Sequence, residues 1–412
     1  MHIIQVNHMF LDGGGREEHV FQISKYLALK GHKVTIVTSD YTPTGDYFIK
    51  KKADKIPGIK LVTLKGYLTN IPPGRIQIPD LMDFLIDYQG DIIHAHGMGE
   101  GTTEDAFHVA KIKKIPFVFT LHFAPYFVYE KLGAAHIWKV LQTYHVFNML
   151  RGSDRIVCVS PNEKEDIIKC TNYKGDNFEI IPNGFEREPE QITAVKIKEV
   201  FQKYSIPEGR KYVVFIGPLT NPRKGAFEAI QAFRRAREKY PDLHLILIGA
   251  WDGRLNIPGR ANVITKVLAK LAKANHVTVT GRVTDMDKYC LLSGSHVFIS
   301  PTMYEAFGIA LAEALYCKIP VVTTDIGGCR YVVRNGVDGI LVKNQEDIAS
   351  FSQAIVELVK NPEKAIQMGK EGSKRMKNIF SWEKTGDKLE ILYKNLIRNY
   401  KNQQSDPKTL SL

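Results

Sequence analysis

The most constraining feature of this sequence is a regular alternation of short apolar segments with longer amphipathic ones, repeated in both halves of the chain. The short segments are rich in Val and Ile and mostly unbroken, as expected for parallel strands that are buried on both faces. In the first half, strands are predicted at Ile3–Asn7, Lys33–Thr38, Leu61–Leu64, Asp91–Ala95, Pro116–Leu121, Arg155–Val159 and Glu179–Ile181. Helices are predicted at Glu17–Lys30, Glu104–Lys113, His136–Leu150 and Pro161–Lys169. This alternation predicts an α/β fold.

A polar stretch follows Pro182-Asn183-Gly184 and runs through about Gln191, after which the alternation starts again. Strands of the second half are predicted at Tyr212–Gly217, Leu243–Gly249, Val277–Thr280, Val297–Ser300, Pro320–Thr323 and Gly339–Val342. Helices are predicted at Ala226–Lys239, Thr265–Ala274, Asp285–Leu292, Ile309–Tyr316, Glu346–Val359, Glu363–Lys377 and Trp382–Tyr400. The sequence therefore predicts two facing doubly wound Rossmann-like domains, at residues 1–185 and 192–380, and a flexible tail at 401–412. The site is expected at the carboxyl ends of the strands and between the domains.

The composition excludes several broad classes of protein. A chain of 412 residues with 44% hydrophobic residues is too long for a small disulfide-stapled module and too apolar for a disordered protein. No apolar run reaches the roughly 18 residues of a membrane span, and the first residues lack the regions of a signal peptide. Five scattered cysteines without a CxxC motif favour a reducing, cytoplasmic location over a disulfide framework or a zinc site.

The net charge of +12 is the one unusual number. Such a charge suits nucleic acid, an anionic membrane or a polyanionic small ligand. Because no recognised reader motif for nucleic acid is present, we expect no nucleic-acid partner.

A glycine-rich loop, Asp12-Gly13-Gly14-Gly15-Arg16-Glu17, follows the first strand and opens the first helix. Glycines let backbone N–H groups approach an anion at a helix N-terminus. A tight turn without a ligand explains the same residues equally well, since the loop is not a GxGxxG motif.

A second loop, from Gly217 to Gly225, occupies the equivalent position in the second half and contains Arg223 and Lys224. Two cations at the mouth of a parallel sheet suit a diphosphate. The alternative is a solvated loop, but its place after the first strand of the repeat favours binding.

A third segment contains two glutamates eight residues apart, Glu305 and Glu313. They converge only if Glu305 lies in a loop and Glu313 on the helix that follows, with Gly308 at the turn between them. The amides near Phe307–Ala310 then lie at a helix N-terminus, where an anion binds. Carboxylates accept hydrogen bonds from vicinal hydroxyls, so a polyhydroxyl ligand is one interpretation. A solvated Glu305 and a structural Glu313 are the other.

Three histidines are possible site residues. His94 and His96 share one strand face, but two histidines alone do not make a metal site, and no metal is expected. His122 ends a strand and is interpreted either as a site residue or as a packing histidine.

In order, these motifs match a known family. The chain resembles the retaining glycosyltransferases of family 4, also described as glycosyl transferases group 1, which have the GT-B fold. The resemblance rests on the following segments: Gly14–Glu17, Gly31–Val34, Asp91–Gly97, Thr120–His122, Ile181–Gly184, Lys224-Gly225, Glu305–Glu313, Pro320–Val322, Gly327-Gly328 and Phe380–Trp382. It covers nearly the whole chain, and the two glutamates within the ordered series are its most specific part. It implies that the final helix, 382–400, packs back on the first domain.

The resemblance implies a role for each matching side chain. Glu305 would hold hydroxyls of the donor sugar, and Glu313 would hold the ribose hydroxyls of the nucleotide. Lys224 would neutralise the leaving diphosphate, and His122 would lie beside the donor sugar near the reacting carbon.

The resemblance also implies backbone contacts. Amides at Gly14, Gly15, Phe307, Gly308 and Ile309 would lie near the sugar or the phosphates of the donor. The segment Arg282-Val283 would frame the nucleobase.

The sequence departs from the family at Pro218, where the family usually has an Arg just after the glycine that ends the first strand of the second domain. Arg223 or Arg282 is expected to replace that cation. An alternative is that the chain is a non-catalytic or weakly active protein that binds a sugar nucleotide.

The activity implied by the resemblance is transfer of a sugar from a UDP- or GDP-sugar to a hydroxyl, with retention of the anomeric configuration and without a metal. The acceptor, whether lipid-linked, saccharide or small molecule, stays open. A basic run at Lys50–Lys52 and Lys55 and the apolar segment 136–150 suit peripheral contact with an anionic membrane. A solvated charge run and a buried helix explain the same residues.

Overall fold

The computed structural model describes residues 1–11, 14–42, 45, 47–69, 76–98, 101–125, 146–185, 192–219, 221–249 and 276–405. The chain divides into two compact units. The first comprises Met1–Gly184 with Trp382–Leu412, and the second comprises Phe185–Ser381.

The first unit contains nine described strands. They are β1 (His2–Asn7), β2 (Lys33–Ser39), β3 (Ile59–Leu64), β4 (Tyr67–Leu68), β5 (Ile76–Gln77), β6 (Ile92–His96), β7 (Phe117–Thr120), β8 (Arg155–Cys158) and β9 (Phe178–Ile180). Seven form a parallel sheet in the order β3-β2-β1-β6-β7-β8-β9, while β4 and β5 form a separate antiparallel pair. Because the chain leaves β1 on one side and returns at β6 on the other, the strand order reverses between these two strands. Ligands of open α/β sheets bind at such a switch point.

The described helices of the first unit lie between these strands and at the end of the chain. They are α1 (Gly15–Leu29), α2 (Phe48–Ala53), α3 (Leu81–Asp87), α4 (Gly101–Ile112), α5 (Val146–Gly152), α6 (Pro161–Thr171) and α14 (Trp382–Ser405). The register aligns Asn7 with His96 and His96 with Thr120, so the carboxyl ends of β1, β6 and β7 lie side by side. Polar residues at these three strand ends are therefore close in space.

The final helix, α14, completes the core of the first unit, as predicted. Trp382, Leu389 and Tyr393 pack with residues of α1, β1 and β2 in one buried cluster. The hydroxyl of Thr385 also donates a hydrogen bond to the carbonyl of Pro182, 2.7 Å away. The helix extends to Ser405 rather than ending at Tyr400, so the tail expected from 401 continues the helix for its first residues.

The second unit has a six-stranded parallel sheet. Its strands are β10 (Lys211–Ile216), β11 (Leu243–Ile248), β12 (Val277–Gly281), β13 (Val297–Ser300), β14 (Val321–Thr324) and β15 (Gly339–Val342), in the order β12-β11-β10-β13-β14-β15. The strand order reverses between β10 and β13, which pair in parallel through Val213 and Val297. The loops that follow these two strands therefore lie together at the switch point.

The described helices of the second unit cover both faces of its sheet. They are α7 (Ala194–Lys203), α8 (Ala226–Lys239), α9 (Asp285–Ser293), α10 (Ile309–Tyr316), α11 (Gly327–Val332), α12 (Ile348–Lys360) and α13 (Pro362–Ile379), with one 3₁₀ turn at Pro222–Lys224. A continuous apolar cluster fills the space between β10, β11, α8 and α12, with Phe215, Phe233 and Phe351 fully buried.

The predicted α/β architecture, with a parallel sheet in each unit, is confirmed. Several short elements escape sequence reasoning, including α2, α3, β4, β5 and α11. The predicted helix at Thr265–Ala274 and most of the one at His136–Leu150 lie outside the described residues. Among the described residues, no helix combines the length and the apolar character that crossing a membrane requires.

Candidate functional site

A lysine and a glutamate meet at the switch point of the second unit. Lys224 ends the 3₁₀ turn after β10, and Glu305 lies in the loop after β13. Lys224 Nζ lies 2.6 Å from Glu305 Oε1, and both side chains are partly accessible, at 26% and 17%. A charged donor and a charged acceptor are therefore held together where a ligand reaches them. Sequence reasoning named both residues but not their contact.

Backbone hydrogen bonds tie the two loops to each other. The amide of Met303 and the hydroxyl of Thr302 both donate to the carbonyl of Arg223, at 2.8 and 3.0 Å. Gly225, which follows Lys224, has a φ of +75°, and a Cβ atom there would lie 1.7 Å from the carbonyl oxygen of Pro301. Only glycine fits this close approach, so the packing of the loops requires glycine at position 225.

The N-terminus of α10 lies beside this pair in the sequence. Gly308 caps it with a φ of +91°, and Ile309 is its first residue. The first amides of a helix have no partner within the helix, and its N-terminus carries partial positive charge, so this end can bind an anion. Phe307 is different because its side chain is buried against Phe380, with ring centroids 5.3 Å apart. Of Phe307, only the backbone is suited to contact a ligand.

A second ion pair holds Glu313, one helical turn further along α10. Lys288 Nζ lies 2.7 Å from Glu313 Oε1 and 3.3 Å from Asp285 Oδ1. The Glu313 side chain is only 8% exposed, so its charge is compensated by Lys288 in a mostly buried position. Sequence reasoning missed Lys288. The Asp285–Lys288 spacing of three residues on a helix was the only local signal.

The two arginines proposed to replace the missing family cation differ in their surroundings. Arg223 is half-buried, and its Nε is a buried donor without a hydrogen-bond partner among the described residues. Arg282 is exposed after β12, and Val283 beside it is half-buried. Pro218 follows Gly217, two residues after the end of β10. Arg223 is therefore the better placed of the two, since it adjoins Lys224.

The glycine-rich loop of the first unit opens α1. Gly14 is the N-cap and Gly15 the first residue of the helix, and both are exposed, while Asp12 and Gly13 lie outside the described residues. Arg16 in the first turn lies with its Nη2 2.9 Å from His8 Nε2. The first turn of α1 thus carries exposed glycines and a cation, and that cation pairs with Glu17 of the same turn at 3.2 Å.

Histidines crowd the carboxyl ends of β1, β6 and β7. The ring of His122, which follows β7 with a φ of +48°, lies with its centroid 4.8 Å from that of His19 and 5.6 Å from that of His96. Burial lowers the pKa of His19 to about 4, and burial likewise holds the pKa values of His96 and His122 well below the usual range. These imidazoles are therefore neutral at pH 7. Sequence reasoning gave no sign of His19.

His94 shares a strand face with His96, as predicted, but its own contacts are structural. Its Nδ1 lies 2.5 Å from the hydroxyl of Tyr393 on α14, and its Nε2 lies 2.7 Å from the hydroxyl of Thr120. His94 therefore ties the last helix to the sheet and has no free ring nitrogen.

A buried carboxyl group fixes the backbone beside His122. Glu163 in the first turn of α6 accepts hydrogen bonds from the amides of Phe123 and Val159, both at 2.6 Å. Burial raises its pKa to about 7, although the two backbone donors lower it. Glu163 therefore holds the ends of β7 and β8 together and supports the left-handed conformation of His122. Sequence reasoning did not single it out.

The basic run proposed to contact a membrane is partly neutralised. Lys50 pairs with Asp54 at 2.7 Å, and Lys52 pairs with Glu18 of α1 at 3.1 Å. Lys51 and Lys55 are exposed, so the surface keeps part of the positive charge of the run.

Two α/β units, each with a parallel sheet and with cations and helix N-termini at its switch point, define a two-domain protein of the Rossmann-like α/β class. Family models match both units. One described as "Glycosyltransferase Family 4" matches residues 13–188, and one described as "Glycosyl transferases group 1" matches residues 196–375. The chain belongs to the family 4 glycosyltransferases, as its motifs predicted.

Curated relatives extend over most of the chain. One, from Homo sapiens, is a component of the phosphatidylinositol N-acetylglucosaminyltransferase and is 24% identical over 388 residues, which cover 92% of this chain and 73% of that protein. The alpha-maltose-1-phosphate synthase of Mycobacterium tuberculosis is 26% identical over 319 residues, which cover 74% of this chain and 79% of that protein.

Solved structures share the fold. Anabaena HepE in complex with UDP-glucose superposes with a TM-score of 0.76 at 17% identity, covering 96% of this chain and 100% of that one. Sucrose-phosphate synthase from Thermosynechococcus elongatus gives a TM-score of 0.73 at 20% identity, covering 97% of this chain and 99% of that one. The fold is GT-B, as predicted.

Proposed function

We propose that this glycosyltransferase moves a sugar from a nucleoside diphosphate sugar to a hydroxyl group of its acceptor, with retention of the anomeric configuration and without a metal ion. The observation that carries the proposal is the pair Lys224–Glu305, 2.6 Å apart and partly accessible beside the N-terminus of α10. A cation for phosphate, a carboxylate for hydroxyls and helix N-terminal amides are the groups that such a donor needs.

The leaving diphosphate is the centre of the proposed mechanism. As the glycosidic bond to the phosphate oxygen breaks, positive charge grows on the sugar ring and negative charge on the diphosphate. Lys224 and the amides of Gly308 and Ile309 neutralise the phosphate charge, and fixed donors of this kind are usually the largest catalytic contribution. The acceptor oxygen bonds to the anomeric carbon from the same face and gives its proton to the departing phosphate oxygen. No protein nucleophile is then needed.

Carboxylates orient the two polyhydroxyl parts of the donor. Glu305 accepts hydrogen bonds from hydroxyls of the sugar once the phosphates of the sugar nucleotide draw Lys224 away from its carboxylate. Glu313, held by Lys288, accepts from the ribose hydroxyls. In the first unit, Gly14 and Gly15 are proposed to offer backbone amides to an anionic group at the N-terminus of α1.

The loops beside these carboxylates provide the remaining proposed contacts, to the nucleobase and to the charge of the diphosphate. Val283 and Arg282 are proposed to frame the base, and Arg223, whose buried Nε has no partner among the described residues, is proposed to supply the second cation. Similarity to HepE, which was solved with UDP-glucose, supports a UDP-sugar as the first donor to test, with a GDP-sugar as the alternative.

Thermal-shift screening against UDP-, GDP- and ADP-sugars tests donor binding. A true donor at about 100 times its Kd should stabilise the protein by about 2.7 kcal/mol. Donor consumption and the anomeric configuration of the product are then followed by NMR. Stabilisation by no sugar nucleotide would contradict the proposal, and an inverted product would contradict retention.

Metal independence needs its own measurement. Donor hydrolysis or transfer is assayed in excess chelator, where activity should persist because Lys224 and the helix amides neutralise the diphosphate. Complete loss that Mn²⁺ restores would refute this part of the proposal.

A second candidate function is binding of a sugar nucleotide without turnover. Pro218 favours it, because the family cation is missing at this position. The two candidates separate in one assay, since both predict a thermal shift but only the enzyme consumes the donor.

The acceptor is proposed to be a lipid-linked, saccharide or small-molecule hydroxyl. The name of the human relative, which specifies phosphatidylinositol, supports testing lipids first. A cytoplasmic location with peripheral contact to an anionic membrane is proposed with it. Sedimentation with anionic liposomes at low salt tests peripheral association, and no binding there would reject it.

A further inference from the structure

Three histidines of the first unit converge on one point. One ring nitrogen from each of His19, His96 and His122 lies within 4.8 Å of the other two. His19 and His96 are fully buried, whereas His122 is half-buried and leaves the group open to solvent on its side. They come from α1, from the end of β6 and from the residue that follows β7, so the sheet and the first helix bring them together.

The hydrogen bonds of two of these rings fix which nitrogen faces the centre of the group. His19 Nδ1 lies 2.6 Å from Asn183 Oδ1, and His96 Nε2 lies 2.7 Å from Gln5 Oε1. Because a carbonyl oxygen only accepts, both nitrogens carry protons and donate. The lone pairs are therefore on His19 Nε2 and His96 Nδ1, the atoms that face inward.

His19 Nε2 is a buried acceptor with no hydrogen-bond partner among the described residues, and its side chain has no exposed surface. A buried polar atom without a partner costs free energy, so its presence needs an explanation. A ligand that accepts its lone pair would supply one. A histidine that ligates a metal usually donates its other ring N–H to an oxygen acceptor, and Asn183 Oδ1 and Gln5 Oε1 are such acceptors here.

The spacing suits a tetrahedral ion. Three nitrogens at 2.0–2.1 Å from zinc, at tetrahedral angles, lie about 3.4 Å apart. His96 Nδ1 and His122 Nε2 are 3.4 Å apart, in a long hydrogen bond that His122 Nε2 donates and that a bound ion would replace. The other pairs lie within 4.8 Å, so each nitrogen needs to move by about 1 Å or less to reach this geometry. His122 must carry its proton on Nδ1, and exchange with solvent on its accessible side allows that tautomer.

We propose that His19, His96 and His122 form a binding site for a divalent transition-metal ion of the zinc class, with Asn183 and Gln5 holding two of the ligand rings in place. Three histidine ligands leave the fourth position to water. The site goes beyond the proposed function, which uses no metal. It shares His122 with the place beside the donor sugar that the family resemblance gives this residue, so a bound ion and the donor would compete for His122. Metal binding itself does not depend on that function.

Titration of the chelator-treated full chain with Co²⁺, a coloured substitute for Zn²⁺, tests the site without any activity assay. We expect one equivalent to give the intense visible absorption of a tetrahedral ion, and Zn²⁺ to abolish it by displacement. A weakly coloured octahedral spectrum, or no saturation near one equivalent, would overturn the proposal.

Variants assign the ligands. His19→Gln keeps a hydrogen-bond donor for Asn183 but removes the ligand, so Zn²⁺ binding by calorimetry should weaken by at least about 100-fold. Asn183→Ala and Gln5→Ala should weaken it by about 10–100-fold. His32→Gln, a histidine of the same unit that contacts Glu390, is the matched control and should not change it.

Folding of each variant is checked by its thermal unfolding in chelator. If His19→Gln does not fold, the Co²⁺ spectrum of the unaltered chain still decides the question. Zn²⁺ binding of equal affinity in a folded His19→Gln variant would overturn the assignment.

Discussion

The ammonium of Lys288 lies 2.7 Å from Oε1 of Glu313, and the two residues come from neighbouring helices, α9 and α10. Neither side chain is freely solvated, since they are 18% and 8% exposed. The carboxylate that the proposed function assigns to the ribose is thus paired and oriented before any nucleotide binds.

Replacing Lys288 by Met should weaken both the fold and nucleotide binding. The mostly buried Glu313 would lose its compensating charge, at a cost of about 1–3 kcal/mol in the free energy of unfolding. A Glu313 that Lys288 no longer orients accepts fewer hydrogen bonds from the ribose, so we expect the Kd of UDP to rise about tenfold, as for the loss of one such bond. Urea unfolding and calorimetry measure the two effects.

Lys196→Met is the matched control. Lys196 also pairs with a glutamate, Glu199, at 2.9 Å, but these side chains are 44% and 56% exposed. An exposed pair contributes at most about 1 kcal/mol, and this one is far from the proposed site in the sequence. Equal losses in the two variants would show that burial of Glu313 is not the cause.

Replacing Lys224 by Ala should lower kcat by roughly 10²–10³, as for the loss of one fixed donor to a developing negative charge. Steady-state transfer or hydrolysis with the donor found by thermal shift measures it. Lys239→Ala, an exposed lysine in the last turn of α8, should leave kcat unchanged. Turnover of the Lys224 variant within about threefold of the original chain would refute its role, since one such donor should contribute far more.

The fold was predictable because its signal is local and repeated. Unbroken apolar strands such as Leu243–Ile248 and amphipathic helices such as α8 show their period within a few residues. Short elements do not show such a period. The helix Leu81–Asp87 has fewer than two full turns, which is too short for a periodic pattern to be recognised.

The site was predictable only where its residues are close in the sequence. Glu305, Gly308 and Glu313 form one segment, so their spacing carries the signal. Lys288 and His19 contact residues far along the chain, through the packing of α9 on α10 and of α1 on the sheet. Such proximity depends on tertiary structure, and no local pattern indicates it.

Substitution of two glycines that have the same φ distinguishes the cost of backbone strain from the cost of close packing. Gly225 and Gly209 both have a φ of +75°, but a Cβ at Gly225 would lie 1.7 Å from the carbonyl oxygen of Pro301, whereas one at Gly209 meets nothing within 4 Å. Gly209→Ala should cost about 1–2 kcal/mol from the left-handed conformation alone. Gly225→Ala should cost clearly more, because the backbone of one loop must move, and it should also impair turnover through Lys224. Similar unfolding free energies for the two variants, measured in urea, would contradict this account of the loop.

His296 should make the second unit sensitive to acid. The amide of Tyr212 donates to His296 Nδ1 at 3.2 Å, and Lys211 Nζ lies 3.4 Å from Nε2. Burial, and then the charge of Lys211, lowers the pKa of His296 to about 4, from an ordinary value near 6.5. As the pH falls, the unfolded chain therefore takes up a proton on His296 before the folded chain does, and this uptake favours unfolding. The stability associated with the neutral imidazole is complete above about pH 6.5 and is lost as the pH falls toward 4.

The His296→Asn variant keeps an acceptor for Tyr212 but cannot bind that proton. Its unfolding free energy should fall less steeply between about pH 6 and 4, by up to about 1.4 kcal/mol per pH unit. Urea unfolding of both proteins across this range measures the difference, in which the other histidines cancel because both chains contain them. Parallel curves would show that His296 is protonated in the folded state as readily as in the unfolded one.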